Sequence, residues 1–251
     1  MPRPTRFFIP GHVWHITHRC HGREFFLDFS TYRKFWVKWL YEGTNRYEVP
    51  VLNFTVTSNH VHVLVLSPKD MTAIPLLMQL VAGRVGQVYN KRKNRKGAFW
   101  ENRYQATAVQ TDEHLARCFM YIDLNMVRAK VVKHPSKWEH GGYHEIVRPK
   151  KRYQIIKRSE VSRLLGLEED HLSKSYQKWI REALRKGNLS RDSIWSTELA
   201  VGDNGFIETI KKGVGRFISK MTVKEAPALY GQAQSRPNTL AWQIFEETDL
   251  Q

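Results

Sequence analysis

The sequence predicts an α+β protein: a ferredoxin-like antiparallel sheet with two helices on one face, followed by a helical C-terminal extension. Three observations predict it. Short β-rich runs and helical periodicities follow one another in the order β-α-β-β-α-β-α. From Arg148 the pattern changes, with "RPKKRY" reading as a basic linker, so residues 1–148 are expected to form one domain and 149–251 a mainly helical extension. Finally, 41% hydrophobic residues, with 12 Phe, 10 Tyr and 8 Trp, supply a sizeable core and exclude a disordered chain.

The elements follow in order. Val13–Arg19, "VWHITHR", alternates as a strand does. Ser30 is placed to cap a helix through about Gly43, with Phe35, Trp39 and Leu40 toward the core. Val51–Val56 and His60–Leu66 are β-rich runs separated by the turn-forming "TSN", which makes them a hairpin. A second helix spans Thr72–Tyr89, where Leu77, Met78, Val81, Val85 and Val88 recur at helical spacing. Phe99–Tyr104 and Ala106–Val109 read as a strand bent around Arg103. A third helix opens at Thr111, with Asp112 and Glu113 in its first turn, where the helix dipole favours negative charge. Beyond the linker, helices are expected at Ser159–Leu165, Lys174–Lys186 and Gly205–Lys212, then a tail containing Pro227 and Pro237.

The net charge of +16 points to a polyanionic partner. It is concentrated: residues 1–150 carry 23 basic and 11 acidic residues, the remainder 17 and 13. No lysine-rich amphipathic helix with an aromatic face suggests membrane-surface binding, and no apolar run is long enough to span a bilayer. The opening "MPRPTRFFIPG" lacks a signal-peptide core, so a cytoplasmic, nucleoid-associated location is expected. Cys20 and Cys118 form no metal-type spacing and are not expected to pair.

Candidate chemistry begins at "NHVHVLVL". Residues two apart on a strand point the same way, so His60 and His62 project together. Two imidazoles can hold a divalent cation, but about 0.5 such pairs are expected by chance in a chain with this many histidines. Alone, the pair reads more readily as a half-exposed strand edge. The third helix changes the weighing. In "LARCFMYIDLNMVRAK", Leu115, Cys118, Ile122 and Met126 form an apolar stripe, while Arg117, Tyr121, Asn125 and Arg128 recur on another face. That face offers a phenol, an amide oxygen and two guanidiniums. The bland alternative for Tyr121 is an inert amphipathic tyrosine at the helix–sheet boundary. His12, His15, His18 and His21 recur every three residues, a period that fits neither strand face, and are not expected to be ligands.

These motifs are familiar. "NHVHVLV" resembles the His-hydrophobe-His signature of the HUH single-strand nucleases, and "YIDLNMVRAKVV" after "GAFWENRYQA" resembles the tyrosine helix of IS200-like Y1 transposases. With the opening "PRPTRFFIPGHVWHITHRCHGREFF", the resemblance is to the REP-associated tyrosine transposases, over roughly residues 1–145. The usual Asn-Pro of the tyrosine helix is Asn125-Met126 here. The resemblance implies cleavage and rejoining of single-stranded DNA bearing palindromic hairpins. His60, His62 and Asn125 would bind Mg2+ or Mn2+, and Tyr121 would be the nucleophile. A free phenol has a pKa near ~10, so the cation and the nearby arginines must assist its deprotonation.

Several basic and aromatic residues are candidate DNA contacts. Lys91, Arg92, Lys93, Arg95 and Lys96 form a dense cationic run between the second helix and the fourth strand. Arg84 and Arg103 are expected at phosphates with Arg117 and Arg128, and Trp100 is a candidate stacking surface. Arg3 and Arg6 lie in a Pro-containing arm suited to a hairpin stem. The protein could act as a monomer or as a homodimer exchanging helices about "GGYHE" at Gly141–Glu145. The extension, with Trp179, Trp195 and Trp242, reads either as a second DNA-contacting module or as a cover for the site. Two other functions compete: a nucleic-acid-binding protein that kept the fold without the chemistry, and a replication or mobilisation nuclease. The single tyrosine on this helix disfavours two-tyrosine replication enzymes.

Overall fold

The computed structural model describes residues 8–111, 113–187 and 192–214. Strands β1 (Val13–Arg19), β2 (Val51–Val56), β3 (His60–Leu66) and β4 (Gln105–Val109) form the antiparallel sheet, in the spatial order β2-β3-β1-β4. Helices α1 (Ser30–Tyr47) and α2 (Ala73–Arg92) pack together between the strands they connect in sequence. This is the expected ferredoxin-like arrangement. A two-residue strand, β5 (Ala200–Val201), adds to the β4 edge in parallel, pairing Ala108 with Ala200 and Val109 with Val201.

The other sheet face is covered by α3 (Glu113–Asp123), whose Leu115, Cys118 and Ile122 are buried as their spacing demands. Helical hydrogen bonding nearly continues through Leu124 into α4 (Asn125–Arg128), with Leu124 at ψ 1°. Five further α-helices follow among the described residues: α5 (Tyr143–Val147), α6 (Arg158–Leu165), α7 (Glu169–Lys186), α8 (Ile194–Thr197) and α9 (Asn204–Val214). The extension is fastened to the sheet. Lys157 N donates to Val51 O at 2.8 Å, Thr107 Oγ1 donates to Glu198 O at 2.6 Å, and Tyr176 of α7 donates to Asp123 of α3 at 2.5 Å.

Several expectations need correction. The buried stripe of α1 is Tyr32, Trp36 and Leu40, an i, i+4, i+8 row, while Phe35 and Trp39 are only partly buried. Trp39 instead lies under the guanidinium of Arg84 at 4.9 Å, along the outer edge of the helix pair. Ser30 is the first residue of α1, Phe29 holds the cap position, and the Ser30 hydroxyl lies 3.3 Å from His140 Nε2. The fourth strand starts at Gln105. Upstream, Trp100 forms a single bridge with Cys20, and its Nε1 donates to Ala82 O at 3.0 Å. That inward anchor sends Glu101–Arg103 outward as a bend.

The segment "GGYHE" is a packed joint. Gly142 N donates to Phe54 O at 2.8 Å, and α5 begins immediately after it. Cys20 and Cys118 are buried and unlinked. No helix among the described residues is long and apolar enough to cross a membrane. Arg3, Arg6, Asp112, Pro227, Pro237 and Trp242 lie outside the described residues.

Candidate active site

The strand register builds the site. In the β1–β3 pair Arg19 is opposite His60, Thr17 opposite His62 and His15 opposite Leu64. Side chains alternate along a strand, so His60, His62, Thr17 and His15 share one face, with His15 and His62 diagonal neighbours. Val61, Val63 and Val65 are all fully buried on the other. The expectation that both imidazoles share a face holds, but His62 is only 3% exposed.

Each imidazole has its Nδ1 engaged. His60 Nδ1 lies 2.7 Å from Asn59 Oδ1, a pure acceptor, so Nδ1 carries a proton and, in the neutral ring, Nε2 is the nitrogen with the lone pair. The Thr57 hydroxyl, which donates to His60 O at 2.8 Å, clamps the same turn. His62 Nδ1 lies 2.9 Å from His15 Nε2, and His62 Nε2 lies 3.1 Å from the Asn125 side-chain amide. Burial, reinforced by His60, His15 and Arg128, holds the His62 pKa well below the usual histidine value. Burial likewise pulls His15 down to about 4, partly opposed by its hydrogen bond to the Trp195 carbonyl. Both rings are therefore neutral at neutral pH, the form in which imidazole binds a metal.

Helix geometry brings the remaining groups. Tyr121 and Asn125 are one turn apart across the Leu124 break, so both face the sheet. The Tyr121 ring is 7% exposed and meets His62 edge-on, with centroids 5.8 Å apart. Arg128 donates to Tyr121 O at 2.6 Å, and its guanidinium carbon lies 4.2 Å from the centre of the tyrosine ring. Tyr121, Asn125, Arg128, His60 and His62 border one cleft of about 520 Å³. Its other walls are Glu101–Arg103 and Ser193, Ser196 and Thr197 of the extension.

The donor chemistry suits a hard or borderline divalent cation. His62 Nε2 and the Asn125 amide are 3.1 Å apart, close to the about 3 Å between adjacent ligands on an ion with bonds of about 2.1 Å. A half-turn of the amide exchanges its nitrogen for its oxygen at that position. Two imidazole nitrogens and one amide oxygen leave coordination positions open for substrate oxygens. Among the described residues no group of three or more His, Cys, Asp or Glu side chains is arranged for a metal, so the amide is essential to any such set.

The candidate DNA contacts divide. Arg103 and Arg128 line the cleft. Arg117 faces the extension instead, 3.9 Å from Asp192. Arg84 is exposed on α2, stacked on Trp39 and away from the cleft. Lys91, Arg92, Lys93 and Lys96 are exposed at the end of α2 and in the loop after it. Arg95 is tied down, donating to Asn90 Oδ1 and Ala98 O and lying over the Phe26 ring at 4.5 Å. One face of Trp100 stacks on His18 with centroids 4.1 Å apart, which removes that face from base stacking.

Sequence reasoning missed His15, and the three-residue histidine period hid it. The usable signal was the alternation His15-Ile16-Thr17 combined with the β1–β3 register, which places His15 diagonal to His62. It also missed Ser193, Ser196 and Thr197, whose arrival at the cleft depends on the path of the extension.

Residues 10–125 match the family model described as Transposase IS200 like. Among solved structures, a REP-associated tyrosine transposase bound to a REP hairpin is similar at 18% sequence identity. That likeness covers 59% of this chain and 87% of the other, with a TM-score of 0.47. No curated protein sequence matches the chain.

Proposed function

We propose, on the match of residues 10–125 to the IS200-like transposase family model, that the protein is a single-tyrosine endonuclease and strand transferase for single-stranded, hairpin-bearing DNA. The observation that carries the reading is that His60, His62, Asn125 and Tyr121 border one cleft. Tyr121 supplies the nucleophile. Its phenolic oxygen bonds to the scissile phosphorus, the P–O3′ bond breaks, and the phenolic proton ends, in net terms, on the released 3′ oxygen. The product is a 5′-phosphotyrosine ester. An aryl oxide is a good enough leaving group for a 3′ hydroxyl to reverse the step, so the ester preserves the phosphodiester for rejoining.

His60, His62 and Asn125 would hold Mg2+ or Mn2+, which when bound supplies Lewis-acid neutralisation of the phosphate and its leaving oxygen. Arg128, against the Tyr121 ring, favours negative charge on the phenol as its proton departs. Arg103, which also lines the cleft, would contact a strand entering it. The exposed cations Lys91, Arg92, Lys93 and Lys96 would follow the backbone outside it. We infer palindromic-repeat targets from the resemblance of "YIDLNMVRAKVV" and the chain's opening to the REP-associated enzymes. The cytoplasm, at the nucleoid, is the corresponding place of action.

One observation favours a binding protein without chemistry, namely the 7% exposure of Tyr121. The two readings separate in one assay. A labelled hairpin oligonucleotide incubated with Mn2+ should yield a covalent adduct that Tyr121→Phe abolishes while hairpin affinity is retained. An adduct of equal yield from Tyr121→Phe removes the nucleophile assignment, and no adduct from the wild type leaves the binding protein.

A further inference from the structure

We propose that His15 is a positioning residue that fixes the tautomer of His62, so that the C-terminal extension completes the metal-binding face of the cleft. The inference rests on the proposed role of His62 as a ligand, and it concerns a residue outside the expected ligand set.

The chain of logic starts at a backbone carbonyl. The oxygen of Trp195 can only accept, and it lies 2.7 Å from His15 Nδ1 in a buried contact. His15 Nδ1 therefore carries a proton. In a neutral imidazole the second nitrogen is then an acceptor, so the 2.9 Å contact between His15 Nε2 and His62 Nδ1 requires His62 Nδ1 to donate. That leaves His62 Nε2 with its lone pair, aimed at Asn125 and the cleft. The ring planes differ by only 6° and the centroids are 5.0 Å apart. Such rings meet edge to edge in a common plane, the best alignment for an N–H···N bond.

The two candidate ligands are thus oriented from different places. Asn59 sets His60 from the adjacent position in the chain. Trp195 sets His62 through His15, from 180 positions away in sequence from His15. Thr107 on β4 holds the same segment by donating to Glu198 O, and β5 pairs with β4 just beyond. Without the Trp195 carbonyl, His15 could carry its proton on Nε2, and His62 would then accept on Nδ1 and present N–H to the cleft. An imidazole in that state cannot ligate. Partners of this kind, which orient a metal-binding histidine, commonly change metal affinity by 10–100-fold.

The test uses two amide replacements of different reach in the full-length, metal-free protein. His15→Gln places an amide oxygen near the position of Nε2, where it can accept from His62. His15→Asn keeps a donor for Trp195 O but is too short to reach His62. Long-range 15N–1H correlation spectra should show His62 as the pure Nδ1–H form in the wild type and His15→Gln, and as a mixture in His15→Asn. Mn2+ titration followed by the free-ion electron paramagnetic resonance signal should show affinity about tenfold or more lower for His15→Asn and near wild type for His15→Gln. A purely structural role would move both variants alike and overturns the proposal, as does His15→Asn with an unchanged tautomer and affinity. His60→Ala is the separate control. If it binds Mn2+ as the wild type does, the metal reading of the cleft fails, while the spectra still decide the positioning role of His15.

Discussion

The guanidinium of Arg128 lies over the ring of Tyr121 at 4.2 Å and donates to that residue's own carbonyl at 2.6 Å. One arginine thus fixes both the backbone and the ring face of the candidate nucleophile. Arg128→Lys keeps the charge but loses the planar fork and its stacking. Adduct formation on the hairpin substrate should slow by about tenfold to a hundredfold, and the salt dependence of binding should stay close to wild type. Single-turnover rates compared with filter-binding isotherms check this.

Acid should weaken the fold through the buried imidazoles. His15 has a folded pKa of about 4, below its ordinary value of 6.5. The unfolded chain therefore binds more protons in that window. Stability is fully present above pH 6.5 and lost as pH falls toward 4, by up to about 3 kcal/mol from His15 alone. His62 is shifted in the same direction. Because Asp123 titrates in both proteins, the comparison isolates His15: between pH 7 and 4.5 the urea midpoint of the wild type should fall relative to that of His15→Gln.

A second buried acid works with the opposite sign. Burial raises Asp123 to about 7, although Tyr176 and Asn53 hydrogen-bond to it. Its folded pKa exceeds the unfolded value, so its contribution to stability is present below about pH 4 and is lost as pH rises toward 7. Tyr176→Phe removes the donor 2.5 Å away and raises the folded pKa further. The variant should lose about 1–3 kcal/mol, more at pH 8 than at pH 5, in matched thermal melts.

Gly142 has no room for a side chain. A Cβ there would run into Asn53 Oδ1 and come within 2.7 Å of Ile156 Cδ1. Gly142→Ala should destabilise the fold by about 1–3 kcal/mol through overpacking, read as a lowered urea midpoint with unchanged slope.

The exposed cations after α2 should act through counterion release alone. Replacing Lys91, Arg92 and Lys96 together by Gln should reduce the slope of log affinity against log salt by about 2, at about 0.7 per single-strand phosphate. The rate of adduct formation at saturating DNA should not change.

The parts of this architecture legible in the sequence are those governed by local periodicity. The bounds of β1, β2 and β3 follow directly from alternation and the "TSN" turn, and the buried row of α3 from its spacing of three and four. The inward face of α1 is not legible because aromatic residues occupy positions 35, 36 and 39 on different sides of the helix, and only the packing partner decides which turns inward. The start of the fourth strand is not legible because Phe99 and Trp100 look β-like but serve α2 and His18. His60, His62, Asn125 and Tyr121 can be grouped because each pair is close in sequence, two apart on β3 and four apart across the α3–α4 junction. His15 and Trp195 cannot, since their contact depends on where a distant segment crosses the sheet.

The short parallel pairing of Ala200 and Val201 with β4 has an evolutionary corollary. Shortening the gene to its first 148 codons would leave β4 with a bare rim and would remove the backbone carbonyls that accept from the side chains of positions 15 and 107. Lineages that lose or replace this appendage should therefore show coordinated substitutions at those two positions, toward apolar residues that tolerate an empty neighbour.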